Sequence, residues 1–151
     1  MDVLSDVITV ARTGRPRSAY VRWHAPWRQQ FASVPGSAGF QVILEGRCWL
    51  LSPHAAPVEL GRGDVLFLPH GTGHTLADSP DTAVTAPACT PDDPQLPGPY
   101  TSGSVDRLGQ GGPATMVLCG AYQLDPSRTH PLLLGLPPGM WTPGAMQRRP
   151  A

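Results

Sequence analysis

Residues 39–77, GFQVILEGRCWLLSPHAAPVELGRGDVLFLPHGTGHTLA, contain the strongest fold signal in this chain. Short apolar runs alternate with glycine corners, and the second half follows the spacing G-x5-P-x-G-x2-H through Gly63, Pro69, Gly71 and His74. Short strands joined by glycine turns are typical of a small β-barrel, and barrels of this size hold either packed side chains or one small ligand. The stretch therefore predicts a barrel with a histidine at the end of one strand.

The composition describes one globular domain rich in turns. The chain has 151 residues, of which 40% are hydrophobic, so it can bury a core and is too apolar for a disordered segment. Its 17 glycines and 19 prolines favour many turns and disfavour a helical bundle. The formal net charge is zero and no run of like charges exceeds Arg148-Arg149, so the sequence shows none of the charge clustering that nucleic-acid binding needs.

The cysteines and the apolar runs predict a protein of a reducing compartment. Cys48, Cys89 and Cys119 are odd in number and form no C-x-x-C pair, which argues against a disulfide framework and a structural zinc ribbon. No apolar run is long enough to span a bilayer, and the N-terminus lacks the pattern of a signal peptide. We therefore expect a cytoplasmic protein that does not enter a membrane.

The apolar pattern predicts a mainly β fold preceded by a helix. Residues 2–12 carry apolar side chains at helical spacing, and Gly14 would end that helix. Short apolar runs bounded by Gly and Pro predict strands at 18–24, 31–34, 40–45, 48–51, 58–60, 64–68, 74–77 and 115–124. Gly46-Arg47 and residues 61–63 each separate two of these runs, so we expect a hairpin at each. Strands at such short intervals indicate a sandwich or a barrel.

The second half of the chain is less regular. Residues 78–113 hold many prolines and few periodic apolar residues, which predicts a long irregular loop over about 85–112 with one strand near 83–86. Residues 130–137 predict a short C-terminal helix, and the Pro- and Gly-rich residues 138–151 predict a tail or linker. The domain is therefore expected to span residues 1–137.

These motifs, in this order, resemble those of the cupin superfamily. The run G-D-V-L-F-L-P-H-G-x-x-H, residues 63–74, is similar to the second cupin motif, with Asp78 where that motif usually ends in Asn. The hairpin F-Q-V-I-L-E-G-x-C-W, residues 40–49, is similar to the end of the first motif. With the N-terminal helix and the late L-C-G-A-Y and H-P-L-L-x-x-L-P stretches, the chain resembles the cupin-type sensor domain of AraC-type transcription regulators.

The resemblance implies a cupin barrel (a double-stranded β-helix or jelly-roll) with a regulatory role. Such a domain would bind a small effector inside the barrel and form a homodimer, which we expect to involve residues 130–137. DNA would be contacted by a helix-turn-helix domain that is absent from these 151 residues and is reached through the 138–151 linker. The main alternative is a small metal-dependent cupin enzyme, a dioxygenase or an isomerase.

His74 is the candidate metal ligand, because it matches the ligand histidine of the second motif. The first motif departs from the family pattern, since the chain has no His-x-His and carries Gln41 where a histidine is common. Cys119, helped by His70, Gln41 or His24, would complete a site for zinc, copper or another transition metal. The competing interpretation is a His74 that only forms hydrogen bonds and a Cys119 that is an ordinary buried residue.

No catalytic residues are predicted, because the chain has no G-x-S-x-G, no H-E-x-x-H and no glycine-rich phosphate loop. Inward positions of the strands would instead build an apolar effector pocket. Its candidate residues are Tyr20, Trp23, Ile43, Trp49, Leu66, Leu68 and Tyr122. The pattern leaves open whether these side chains line a pocket or fill the barrel. A thiol-based oxidant sensor working through Cys119 or Cys89 is a further alternative.

Overall fold

The computed structural model describes residues 17–53, 55–83, 88–89, 102–107, 111–125, 127 and 131–142. These residues form ten β-strands and one helical turn. Their bounds are β1 Arg17–His24, β2 Arg28–Phe31, β3 Ser37–Glu45, β4 Arg47–Ser52, β5 Ala55–Gly61, β6 Val65–Leu68, β7 His74–Ala77, β8 Ser102–Arg107, β9 Ala114–Gln123, α1 Pro131–Leu134 and β10 Met140–Thr142. The predicted mainly β fold is confirmed.

The strands form two sheets that face each other. One has six strands in the order β10-β6-β3-β9-β1-β8, and the other has four in the order β2-β7-β4-β5. All pairings are antiparallel except that of β8, which runs parallel to β1. No helix within the described ranges is long and apolar enough to cross a lipid bilayer.

The core lies between the sheets, where alternate residues of each strand point inward. In β3, for example, Gln41 and Ile43 are buried, whereas Val42 between them is partly exposed. A buried cluster collects inward residues of both sheets together with Trp27, which lies between β1 and β2: Ala19, Val21, Trp23, Trp27, Ile43, Cys48, Leu60, Leu76 and Val117. Trp23 and Trp27 stack within it with ring centroids 4.6 Å apart.

Both predicted hairpins are wrong, because the chain crosses between the sheets at each glycine corner. β3 pairs with β6 and β9, whereas β4 pairs with β5 and β7. Gly46, between β3 and β4, has a φ of 76°, and a Cβ there would lie 2.5 Å from the carbonyl oxygen of Ala114. At the second corner the Asp64 carboxylate accepts a 2.8 Å hydrogen bond from the Gly61 amide. A glycine turn between two apolar runs is compatible with a hairpin and with a crossing between sheets. The strands with which each run pairs decide between the two.

Several other elements differ from the sequence-based expectation. β2 lies at residues 28–31 rather than 31–34, because the amide of Val34 donates to the carbonyl of Gly71 instead of entering a ladder. β8 lies inside the predicted loop, and β10 lies in the predicted tail, where it pairs with β6. The six-stranded sheet therefore extends beyond residue 137.

The predicted helices are covered only in part. Residues 2–12 and most of the expected strand at 83–86 lie outside the described residues. The described part of residues 130–137 holds the single turn α1, whose Pro131 carbonyl accepts a 3.3 Å hydrogen bond from the Gly135 amide.

Candidate functional site

One end of the space between the sheets is hollow, and small inward residues are the cause. Successive inward positions of β1 are Ala19, Val21 and Trp23, so its side chains shrink toward the start of the strand. β3 and β9 follow the same trend, with Gly39 and Ala121 at the hollow end. The register aligns these positions, since Gly39 pairs with Ala121. The result is a cavity of about 150 Å³ that is partly open to solvent.

The cavity wall is mostly apolar, and none of the described residues that line it carries a charged side chain. Its lining residues are Ser18, Ala19, Phe31, Ala32, Val34, Ser37, Gly39, Phe40, Gln41, Leu68, Gly71, Thr72, His74, Cys89, Cys119, Gly120 and Ala121. The composition is typical of a small-molecule site, in which apolar walls carry a few polar groups.

A hydrogen-bond chain of Thr72, His74 and Gln41 is the polar part of the wall. His74 Nδ1 lies 3.2 Å from the carbonyl oxygen of Thr72, and His74 Nε2 lies 3.1 Å from Gln41 Nε2. A carbonyl oxygen can only accept, so Nδ1 carries the proton and Nε2 accepts from the Gln41 amide. The lone pair with which this histidine would bind a metal is therefore engaged by Gln41.

His74 is neutral in this setting. Burial lowers its pKa from 6.5 to about 4, and the hydrogen bond to the Thr72 carbonyl opposes this only in part. Its ring stacks on Phe31, with centroids 4.8 Å apart and planes inclined by 7°. Phe31 in turn meets Trp23 edge to face, so the histidine ring is packed against the aromatic core.

The side-chain oxygen of Gln41, Oε1, has no hydrogen-bond partner among the described residues. Gln41 is only 3% exposed, so this acceptor is buried. A flipped amide would not help, because it would place Oε1 against the accepting Nε2 of His74. An unsatisfied buried acceptor of this kind costs about 1–3 kcal/mol unless a bound molecule donates to it.

Two of the three cysteines reach the cavity. Cys119 pairs in register with both Gln41 and Ala19, and Cys89 forms a bridge to Phe31, so they approach the cavity from different sheets. Cys48 lies in the core instead. Burial and the nearby charge of Asp64 raise the pKa of the Cys48 thiol to about 12, so it stays protonated.

The structure brings together three of the five predicted metal ligands. Gln41, His74 and Cys119 line the cavity, whereas His24 does not. His70 points elsewhere, since its Nε2 lies 2.6 Å from the carbonyl oxygen of Leu136. Across the described residues, no group of three or more His, Cys, Asp or Glu side chains is close enough to hold a metal ion. The metal site remains a prediction that rests on His74 and Cys119.

Only Leu68 of the seven predicted pocket residues lines this cavity. Trp23, Ile43 and Leu66 point inward as expected but are buried in the packed part of the interior. The others lie on outward faces one position out of phase, and these are Tyr20, Trp49 and Tyr122. The predicted pocket residues are mostly large side chains, whereas a cavity forms where inward side chains are small.

The lining residues that were missed left a signal in the sequence. Ala19, Gly39 and Ala121 are each smaller than the next inward residue of the same strand toward the packed end, which is Val21, Gln41 and Cys119 respectively. Phe31 lies in a predicted strand but is not among the predicted pocket residues. A search for small inward residues at the same end of neighbouring strands would have found them.

Comparison with known proteins agrees with this architecture. A protein-family model described as Cupin matches residues 2–151, which is nearly the whole chain. A search of the curated proteins finds no significant match. Two facing sheets and a histidine on the wall of an interior cavity are consistent with that match. The chain belongs to the cupin family.

Proposed function

We propose that this cupin domain is the effector-binding and dimerisation domain of an AraC-type transcription regulator, and that a small molecule binds in its cavity. The cavity of about 150 Å³ at the hollow end of the interior carries the proposal. Filling the same positions with larger aliphatic residues would pack the barrel, so the small residues maintain a space that stability alone does not require.

Binding in the cavity can be passed on to the segment that follows β9. The turn between β6 and β7 contributes Gly71 and Thr72 to the site, and His74 follows as the first residue of β7. The same turn holds His70, whose Nε2 contacts the carbonyl oxygen of Leu136, and β6 pairs with β10. A ligand that shifts this turn would therefore act on residues 131–142, through which we expect a DNA-binding domain to be connected. A helix-turn-helix pattern in the reading frame after codon 151 would support this part of the proposal, and an enzyme domain at that place would contradict it.

Filling the cavity tests the ligand-binding function. Gly39 has no positive φ, and a Cβ there would meet Gly120 and Leu68 at ordinary contact distances of 3.7–3.9 Å. We expect Gly39→Val to fold and to lose the thermal stabilisation that cavity ligands from a small-molecule library give to the wild type. Gly135→Val is the matched control, because Gly135 is exposed and lies outside the cavity lining. Equal stabilisation of all three proteins would place the ligands elsewhere and overturn the proposal.

Oxidant sensing is a second candidate, supported by the two thiols on the cavity wall. A thiolate attacks one oxygen of hydrogen peroxide and breaks the O–O bond, which gives a sulfenic acid and a hydroxide ion that takes up a proton from the solvent to become water. We expect mild peroxide treatment to modify Cys89 and Cys119, as measured by mass spectrometry, and to spare the buried Cys48, which is an internal control. Modification of Cys48 alone, or of no cysteine, would count against this function.

A further inference from the structure

The described part of the cavity wall provides no partner for a charged ligand. Among the described residues that line it, none is Asp, Glu, Lys or Arg. The histidine among these residues, His74, donates from Nδ1 to the Thr72 carbonyl and accepts at Nε2 from the Gln41 amide, an arrangement that only the neutral ring can make. A carboxylate, phosphate or ammonium group would therefore lose its hydration without meeting an opposite charge, which is strongly unfavourable.

Among the described residues of the cavity wall, Gln41 carries a buried acceptor, Oε1, that has no hydrogen-bond donor. The hydrogen-bond chain from Thr72 through His74 fixes the Gln41 amide so that its Oε1 faces no donor among the described residues. A ligand hydroxyl or amino group that donates to Oε1 would remove the cost of this buried acceptor. A ligand that can only accept hydrogen bonds would leave Oε1 without a donor. The lone pair of the ligand's acceptor atom would also repel the lone pair of Oε1.

The size of the cavity limits the ligand to about one ring. Its volume of about 150 Å³ is close to that of engineered apolar cavities that bind benzene. A rigid ring fills such a space while losing little conformational entropy. The wall offers apolar contacts from Val34 and Leu68, and Phe31 also lines it beneath the histidine ring.

From these features we propose that the cavity selects a small neutral aromatic alcohol or amine, whose single donor group binds Gln41 Oε1. This inference rests on the proposed function, since it names the class of effector for the same cavity. Gln41 is then the residue that sets specificity, and His74 positions it by accepting from its amide nitrogen.

A series of four probes of similar size tests the inference on the 151-residue chain at pH 7. All of them except benzoate are neutral. Phenol can donate a hydrogen bond, benzonitrile can only accept one, and toluene can do neither. Benzoate is an anion. We expect dissociation constants from NMR titration to be at least about fivefold lower for phenol than for benzonitrile, the factor that one net hydrogen bond supplies. Benzoate should not bind in the cavity. Equal affinity for phenol and benzonitrile, or tighter binding of benzoate, would overturn the inference.

The double variant Gln41→Leu/His74→Phe assigns the effect to this pair. It replaces both side chains of the Gln41–His74 hydrogen bond with apolar groups of similar size, so neither side chain is left with an unpaired polar group. Only the Thr72 carbonyl loses its donor, the Nδ1 of His74. We expect the ratio of phenol affinity to toluene affinity to be about fivefold lower in this variant than in the wild type. An unchanged ratio would show that Gln41 does not select the donor. If the variant does not fold, the wild-type probe series still decides.

The outcomes separate this inference from the proposed function. If other library compounds bind in a manner that Gly39→Val abolishes, but the four probes do not follow the expected order, the function stands and the ligand class is wrong. If no compound of any class is sensitive to Gly39→Val, both are wrong.

Discussion

Gln41 and His74 determine each other's chemistry. Each side chain alone is ambiguous, since a glutamine amide can face either way and a neutral histidine has two tautomers. The Thr72 carbonyl removes both ambiguities, because it fixes the Nδ1 proton and hence the orientation of the amide. His74 therefore accepts from the Gln41 amide nitrogen, and Gln41 Oε1 is left on the cavity wall with no donor among the described residues.

Protonation of His74 should destabilise the fold. The pKa of His74 is about 4 in the folded chain and 6.5 in its ordinary state, so the unfolded chain binds more protons between these values. Stability is therefore full above about pH 6.5 and falls as the pH drops toward 4, by up to about 3 kcal/mol. Urea unfolding between pH 7 and pH 4.5 should show this slope in the wild type.

The variant His74→Phe is the control for that measurement. Its ring can still stack on Phe31, but it has no group to protonate, so its unfolding free energy should depend less steeply on pH. Parallel pH dependences in the two proteins would contradict a buried neutral His74.

At the scale of elements, glycine corners decide which sheet a strand enters. The corners at Gly46 and at residues 61–63 carry the chain from one sheet to the other, so sequence neighbours become partners across the core rather than within a ladder. The turn at residues 69–73 does the same between β6 and β7, and it also shapes the cavity. The turn at residues 69–73 therefore both connects the two sheets and forms part of the cavity wall.

Gly71 is the position in this turn least able to accept a side chain. Its φ is 64°, and a Cβ would overlap the carbonyl oxygen of Val34, whose amide donates to the Gly71 carbonyl. We expect Gly71→Ala to lower the free energy of unfolding by about 3 kcal/mol or more, measured by urea denaturation.

Gly36→Ala is the matched comparison for Gly71→Ala. Gly36 also has a positive φ, of 83°, but nothing lies within 4 Å of the added Cβ. Its cost should be the backbone strain alone, about 1 kcal/mol. Similar losses in the two variants would show that the contact with Val34 is unimportant.

At the scale of the whole molecule, the two ends of the interior between the sheets differ in how tightly they are packed. One end is packed by Trp23, Trp27 and their neighbours, and the other is kept open by small residues. The packed end supplies most of the buried apolar area and hence the stability. The open end can then tolerate a buried acceptor without a donor, which is the usual compromise at a binding site.

The surface after β9 should form the dimer interface. Leu132, Leu134 and Trp141 are large apolar side chains with 45%, 68% and 44% of their surface exposed. We expect sedimentation analysis to find a dimer for the wild type and a shift toward monomer for Leu134→Glu. Ala56→Glu, at an exposed position of β5, is the control and should remain dimeric. A wild-type monomer, or loss of the dimer in both variants, would contradict an interface at this segment.

Local signals were enough to predict much of this protein. Apolar runs bounded by Gly and Pro located most of the strands, because a half-buried strand must alternate its side chains and a turn needs special residues. The motif around Gly71 and His74 indicated the family and the histidine on the cavity wall, and Gln41 was named beside it. These features depend on residues close together in the chain.

Tertiary structure alone decided the rest, because the deciding contacts join distant residues. β8 and β10 form only because β1 and β6 present open edges to them, and their own sequences carry little strand signal. The two hairpins of the prediction became crossings since Gly46 and residues 61–63 permit either path. The cavity exists because Gly39 and Ala121 fall side by side in the register of β3 and β9. Their small size is visible in the sequence, but only the pairing of the strands turns two small residues into one space.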